Sequence, residues 1–203
     1  MPLFKRLQEA GSDVIIWHIT EEEQYFIEQS GLISNKIHLK KRLEFLSSRY
    51  CLKLLLPHIE LSDIAKDDEG KPYLLSHDVH FSISHSYPYV AVAVHHKKAL
   101  GVDIQTLQDK ILRLQPKFLG AAEMALCNND IRHITAAWCC KEAMYKKYAL
   151  GGLDFREHMP ITRLALEESG QGNAVIHFNK DDARYLQELY IETGDDYAVA
   201  LTL

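Results

Sequence analysis

The run Tyr89-Val-Ala-Val-Ala-Val94 limits the fold of this 203-residue chain more than any other segment. Five consecutive apolar residues give a strand no polar face, so it has to be buried on both sides. A similar run, Tyr197-Ala-Val-Ala-Leu-Thr-Leu203, lies at the other end of the sequence. Each is preceded by a long helical pattern and by further strands. The expected class is therefore α+β, with two similar subdomains over residues 1–98 and 99–203. No Gly/Ser/Pro-rich linker separates them, which predicts one rigid body with a cleft between pseudo-twofold halves.

Local signals place the other elements. Residues 20–31 read as a helix, with Thr20 and Glu23 as a capping box and Gly31 as the stop. A second helix is expected over 39–56, with the stripe Leu39, Leu43, Leu46, Tyr50 and Leu54 and with Pro57 as its end. After a turn at 67–72, strands are expected at 79–86 and 89–95, joined across Tyr87-Pro88, and at 100–105. A helix or turn near 109–118 precedes the strongest helix, 131–150, which has Asn128, Asn129 and Asp130 as candidate caps and Gly151-Gly152 as its close. Beyond it lie strands near 162–167, 174–178, 190–192 and 197–203. A short helix over 181–188 is expected between the second and third.

Composition excludes several classes. Hydrophobic residues make up 47% of the chain and are spread along it, which is incompatible with disorder. No stretch approaches the ~20 apolar residues of a membrane span. Lys and Arg number 23 against 28 Asp and Glu, so a general nucleic-acid binder is not expected. Val14-Ile-Ile-Trp17 is broken at once by His18 and makes no secretory signal. Cys51 and Cys127 are isolated and Cys139-Cys140 are adjacent, without the two-residue gap of a zinc or redox pair. Reduced, packed thiols in a cytoplasmic protein are expected. His77, His80, His95 and His96 lack the partners of a metal centre and read as turn or strand-end residues.

Four places can carry chemistry. In Gly101-Val-Asp-Ile-Gln105, alternation puts Asp103 and Gln105 on one face beside a glycine, two oxygen donors suited to a hard cation. In Trp138-x-x-Lys-Glu142-Ala-x-x-Lys146, Glu142 and Lys146 share a helix face, either as a solvated ion pair or as holders of a metal and a phosphate. Residues 36–53 carry Lys36, Lys40, Lys41, Arg42, Arg49 and Lys53 against the single acid Glu44. Arg42, Arg49 and Lys53 fall within about 40° of one another on a helix, a local anion-attracting face. In Phe81-Ser-Ile-Ser84-His85-Ser86, His85 ends an otherwise apolar row, and Ser84 and Ser86 add hydroxyls.

Taken in order, Gly70-Lys71-Pro72, Phe81-Ser-Ile-Ser-His-Ser86, Gly101-Val-Asp-Ile-Gln105 and Trp138-x-x-Lys-Glu-Ala-x-x-Lys146 resemble the 4′-phosphopantetheinyl transferase superfamily. The likeness is to its monomeric surfactin- and enterobactin-synthetase-type branch and covers roughly residues 36–155. It implies transfer of the 4′-phosphopantetheine arm of coenzyme A to a serine of an acyl or peptidyl carrier protein. It also implies an active site in the cleft between two similar halves. By the same resemblance Asp103 and Glu142, with Gln105, hold Mg²⁺, with Mn²⁺ as an alternative ion. Lys146 and His85 contact the pyrophosphate, and Lys71, with Pro72 in the same turn, lies at the nucleotide end. Arg42 and Arg49 match the partners of the 3′-phosphate, with Lys40 or Lys41 as substitutes. Glu142 is the candidate base, directly or through a water. Many members have Glu where this chain has Gln105, which predicts weaker metal affinity. The resemblance further implies a monomer acting on coenzyme A and a carrier protein, with neither nucleic acid nor membrane as partner. The competing readings are a degenerate member that binds without transfer and a magnesium-dependent hydrolase of nucleotide pyrophosphates. A nucleic-acid role for residues 36–53 is poorly supported, since only Phe45 and Tyr50 could stack on bases.

Overall fold

Ala10 and Gly11, with φ of 49° and 84°, form a two-residue turn that folds strand β1 (Leu3–Glu9) back on β2 (Ser12–His18). Positive φ at both central positions matches the twist of a tight hairpin. The computed structural model describes residues 3–148 and 151–203, and its contacts divide into two units, Met1–Leu100 and Gly101–Leu203. Among the described residues no helix is long and apolar enough to cross a membrane.

In the first unit the hairpin is followed by α1 (Glu23–Ser30) and α2 (Leu39–Leu55), then by a small hairpin of β3 (Ile64–Lys66) and β4 (Pro72–Leu74). Strands β5 (His80–Ser86) and β6 (Tyr89–His95) complete an antiparallel sheet in the order β1-β2-β6-β5. Val90, Val92 and Val94 of β6 pack into the core with Leu43, Leu46, Cys51 and Leu52 of α2. Ala91 and Ala93, on the other face, are equally buried, so both faces of this strand are covered as its composition demands.

Two expectations for this unit fail. Glu22, not Thr20, is the N-cap of α1 and makes no side-chain cap bond; Glu23 is instead drawn to Arg42, with Nε to Oε1 at 2.7 Å. Charge pairing outcompetes the capping box. The stripe of α2 is also turned: Leu39 and Leu54 are 52% and 38% exposed, whereas Ser47 and Ser48 are buried. Those hydroxyls bond back to the carbonyls of Leu43 and Phe45 at 2.6 and 2.8 Å, which removes the cost of burying them.

The second unit opens with β7 (Val102–Thr106) and the short helices α3 (Lys110–Leu114) and α4 (Ala121–Cys127). Helix α5 (Ile131–Tyr148) follows, capped by Asp130 Oδ1, which accepts from the amides of Arg132 and His133. Its expected continuation to residue 150 lies outside the described residues. Strands β8 (Ile161–Leu166), β9 (Gln171–Lys180), β10 (Ala183–Thr193) and β11 (Tyr197–Thr202) make an antiparallel sheet in the order β7-β11-β10-β9-β8. Helix α5 covers its α5-facing residues Ala174, Ile176, Leu189, Ile191, Ala198 and Ala200.

The expected helix over 181–188 is absent. Asp181, at φ 51°, turns the chain, and Ala183 pairs at once with Lys180, so β10 runs unbroken to Thr193. Leu186 is exposed while Leu189 and Ile191 are buried; ladder pairing overrides the local helical preference of this stretch.

Gly101 decides how near α5 comes to β7. A Cβ there would stand 1.8 Å from the Ala143 carbonyl oxygen, which is helix backbone and cannot move aside. Gly101→Ala is therefore expected to destabilise the protein by about 1–3 kcal/mol, or about 2–4 °C in melting temperature for each kcal/mol. Gly151→Ala, where a Cβ meets nothing within 4 Å, is the control and should melt like the parent. Equal melting of both variants would contradict the close approach.

Candidate functional site

Register aims the first two candidates. Asp103 lies opposite Ala200 and Gln105 opposite Ala198, and both alanines belong to the core beneath α5. Partners across an antiparallel ladder share a face, so Asp103 and Gln105 point to the helix side, while Val102 and Ile104 point away.

From the helix, Cys139, Glu142 and Lys146 fall on one arc of about 60° and meet that face. Lys146 Nζ donates to Asp103 Oδ1 at 2.7 Å and to the Val102 carbonyl at 3.1 Å. Its partner is thus the strand aspartate. Glu142 receives the opposite treatment. Burial and the neighbouring Asp103 carboxylate push its pKa up to about 7, with Lys146 pulling the other way. Burial, then Asp103, holds the Cys139 thiol well above its ordinary range, so it remains protonated. The structure therefore brings together Asp103, Glu142 and Lys146.

Gln105 lines a pocket of about 220 Å³ with Thr106, Ile111, Leu114, Phe118 and Trp138. The Trp138 ring is fixed by Phe118 and Phe155, at centroid distances of 4.9 and 5.8 Å. It forms a wall of this aromatic cluster.

Lys141, the residue before Glu142, was not singled out from sequence. Its side chain is 0% exposed, and Nζ lies 2.6 Å from Glu123 Oε1 and 2.7 Å from the Phe155 carbonyl. Glu123 also accepts from the amides of Gly120 and Ile161, at 2.7 and 2.8 Å. Burial pushes the Lys141 ammonium down, and Glu123 opposes the shift.

The candidates of the first unit are distributed differently. Phe81 and Ile83 face the core with α2, and His85, on the same face of β5, has Nδ1 3.3 Å from Glu44 Oε2. Ser84 is buried and faces the other side. Arg42 is engaged by Glu23 and by the carbonyls of Lys36 and Ile37, at 3.2 and 2.8 Å, so it braces the α1–α2 connection. Arg49 stacks on Phe45 at 4.5 Å, and burial pushes its guanidinium down. Lys40 sits 5.1 Å from the centre of the Tyr87 ring. Lys71, half-buried and pushed down by burial, lines a small pocket with Pro72, His80 and Phe81.

Among the described residues no three His, Cys, Asp or Glu gather in the manner of a metal centre. His95 Nδ1 accepts from the amides of Lys97 and Lys98, both at 2.9 Å, and so closes a turn. What remains for a cation is the Asp103–Glu142 pair with the Gln105 amide, an all-oxygen set.

A family model described as the 4′-phosphopantetheinyl transferase superfamily matches residues 99–202. The chain is also similar to the 4′-phosphopantetheinyl transferase gsp of Aneurinibacillus migulanus, with 23% identity over 144 residues. That alignment takes in 68% of this chain and 58% of the relative, so the chain spans little more than half the relative's length.

The raised Glu142 carboxyl has a signed consequence for stability. Its folded pKa of about 7 lies above the ordinary glutamate value of 4.5, so its contribution is fully present below 4.5 and is lost as pH rises through about 7. Glu142→Gln removes the ionised form. The variant is expected to melt a few degrees above the parent at pH 8 and with no such advantage at pH 4.5, by calorimetry without divalent ions. An advantage that is equal at both pH values would contradict the shift.

Proposed function

Because the chain belongs to the 4′-phosphopantetheinyl transferase superfamily, we propose that it transfers the 4′-phosphopantetheine arm of coenzyme A to a serine of an acyl or peptidyl carrier protein. Adenosine 3′,5′-bisphosphate is the leaving group. The observation that carries this reading is the meeting of Asp103, Glu142 and Lys146, in which burial first and the Asp103 carboxylate second hold Glu142 near pH 7.

The donor set fits Mg²⁺. This ion takes oxygen ligands and usually only one or two protein carboxylates, here Asp103 and Glu142, with the Gln105 amide oxygen beside them. Bound there, Mg²⁺ would supply positive charge to the pyrophosphate oxygens. Lys146 neutralises charge that develops on the non-bridging oxygens. His85 contributes a hydrogen bond to the pyrophosphate, and Lys71, Arg49 and Arg42 contribute cationic contacts to the rest of coenzyme A. Arg42 must then share its guanidinium with Glu23. The pocket at Gln105, with apolar walls and the amides of Gln105 and Gln108, has the chemistry to receive the amide-bearing arm.

The serine Oγ attacks the β-phosphorus as its proton passes to Glu142, directly or through a water. The new Oγ–P bond forms, and the P–O bond to the nucleotide breaks with its electron pair leaving on the nucleotide oxygen. A carboxylate held by Mg²⁺ is a weak base, so the relay through a water is the easier route for that proton. On this reading the protein acts as a cytoplasmic monomer of the surfactin- and enterobactin-synthetase-type branch. Its four buried free thiols fit a reducing compartment.

The test is intact-mass analysis of apo carrier proteins incubated with the protein, coenzyme A and Mg²⁺. The expected result is the gain of one phosphopantetheine arm, abolished by Ser→Ala in the carrier and reduced at least about a hundredfold by Asp103→Asn, the scale of losing a group aimed at developing charge. Coenzyme A binding without modification of any carrier would favour the degenerate reading, and arm release without a carrier would favour the hydrolase. Gln105→Glu adds a third carboxylate, and Mg²⁺ is expected to half-saturate activity at a concentration at least severalfold lower. Superimposable metal titrations would remove Gln105 from the metal site.

A further inference from the structure

Glu44 is the single acid among the six Lys and Arg of residues 36–53, yet it is the charged residue of that segment most removed from solvent, with its side chain 4% exposed. Its two oxygens are shared by three donors. Oε1 accepts the Tyr87 amide at 3.1 Å, and Oε2 accepts Lys41 Nζ at 2.7 Å and lies 3.3 Å from His85 Nδ1. Two of these donors come from the end of β5 and the turn beyond it. The third comes from the preceding turn of α2 itself.

A buried carboxylate in such company is an acceptor only, so the ring nitrogen facing it has to carry the proton. Glu44 thereby fixes which way the imidazole is turned, with Nδ1 to the helix and Nε2 on the far side of the ring. The His85 side chain remains 40% exposed. Lys41 competes for the same oxygen, and Lys40 is held over the Tyr87 ring 5.1 Å away, so the surroundings are otherwise cationic. A neutral ring anchored in this way would offer a phosphate only the lone pair of Nε2. A contact to phosphate needs the doubly protonated ring, with Nδ1–H facing the carboxylate and Nε2–H on the opposite edge.

We propose that Glu44 is a positioning residue for His85: it holds the imidazole by Nδ1 so that Nε2–H is presented to a phosphate of coenzyme A. This rests on the reading of His85 as a pyrophosphate contact. Ser47 and Ser48, on the following turn, bond to α2 carbonyls, whereas Glu44 reaches out of α2 to the end of β5.

The experiment is a double-mutant cycle on coenzyme A binding by titration calorimetry, with wild type, Glu44→Gln, His85→Asn and the double variant. Each single change is expected to weaken binding about five- to tenfold, as for loss of one hydrogen bond to a charged group. The double variant should bind no more weakly than His85→Asn alone. Losses that multiply would show Glu44 acting independently of the ring and would overturn the positioning role, with carrier modification unaffected as a conclusion. Wild-type-like binding by His85→Asn would remove the histidine from the site and this inference with it, while the assignments of Asp103 and Glu142 stand. One measurement needs no variant. Ring ¹⁵N spectra of the wild-type protein are expected to show His85 Nδ1 carrying a proton, and a ring protonated at Nε2 alone would overturn the proposal.

Discussion

The buried pair of Lys141 and Glu123 sets the geometry of the second unit. An ammonium with no solvent contact persists only with its charge and its donors met, and here Glu123 and the Phe155 carbonyl meet them. Glu123 is tied in turn to Gly120 at the start of α4 and to Ile161 at the start of β8. Removing one partner of such a pair strands the other, at a cost of about 3–5 kcal/mol, so the rotation of α5 about its axis is fixed. With Lys141 turned inward, the next residue emerges about 100° further round, toward β7. That is why Glu142 meets Asp103, and why Lys146, one turn on, reaches the same carboxylate. The face that α5 turns to β7 thus depends on a buried salt bridge elsewhere on the same helix.

The two units use one scheme with opposite electrostatic outcomes. In each, a long helix lies over an antiparallel sheet, against an inner strand that starts with a tyrosine and is buried almost throughout. In each, a glutamate from that helix meets a titratable side chain on the neighbouring strand. Glu44 meets a histidine, a lysine and a backbone amide, and its charge is compensated. Glu142 is pushed toward its neutral form by burial and then by the neighbouring Asp103 carboxylate. The first arrangement holds a ring in place. The second holds a carboxyl near neutrality.

Much of this was legible in sequence because it depends on short-range periodicity. Alternation along Gly101–Gln105 puts Asp103 and Gln105 on one face, and four-residue spacing puts Glu142 and Lys146 on one face of the helix, from which Lys146 reaches Asp103. The all-apolar run 89–94 required burial on both faces, and β6 has it. The failures share a different cause, competition from residues distant in sequence. Glu23 left its capping box for Arg42, nineteen positions away. Residues 183–188 joined a ladder with β9 in place of forming a helix. Lys141 was invisible because a lysine inside Lys-Glu reads as solvated until its partner Glu123 is seen in space. The one signal available for Glu44 was its solitude among cations, since a lone acid on a basic helix is either mispatterned or paired.

Gln105 now has a physical interpretation beyond a departure from the commoner Glu. Three carboxylates facing α5 would stand against one ammonium, Lys146, in a half-buried site where burial and Asp103 already lift Glu142 to about 7. A third would raise the cost of the cation-free protein further, because like charges brought together from water are compensated only by protonation or by a counter-ion. An amide at that position keeps an oxygen donor while limiting the negative charge to what Lys146 and one proton can balance. The balance point is the single proton on Glu142.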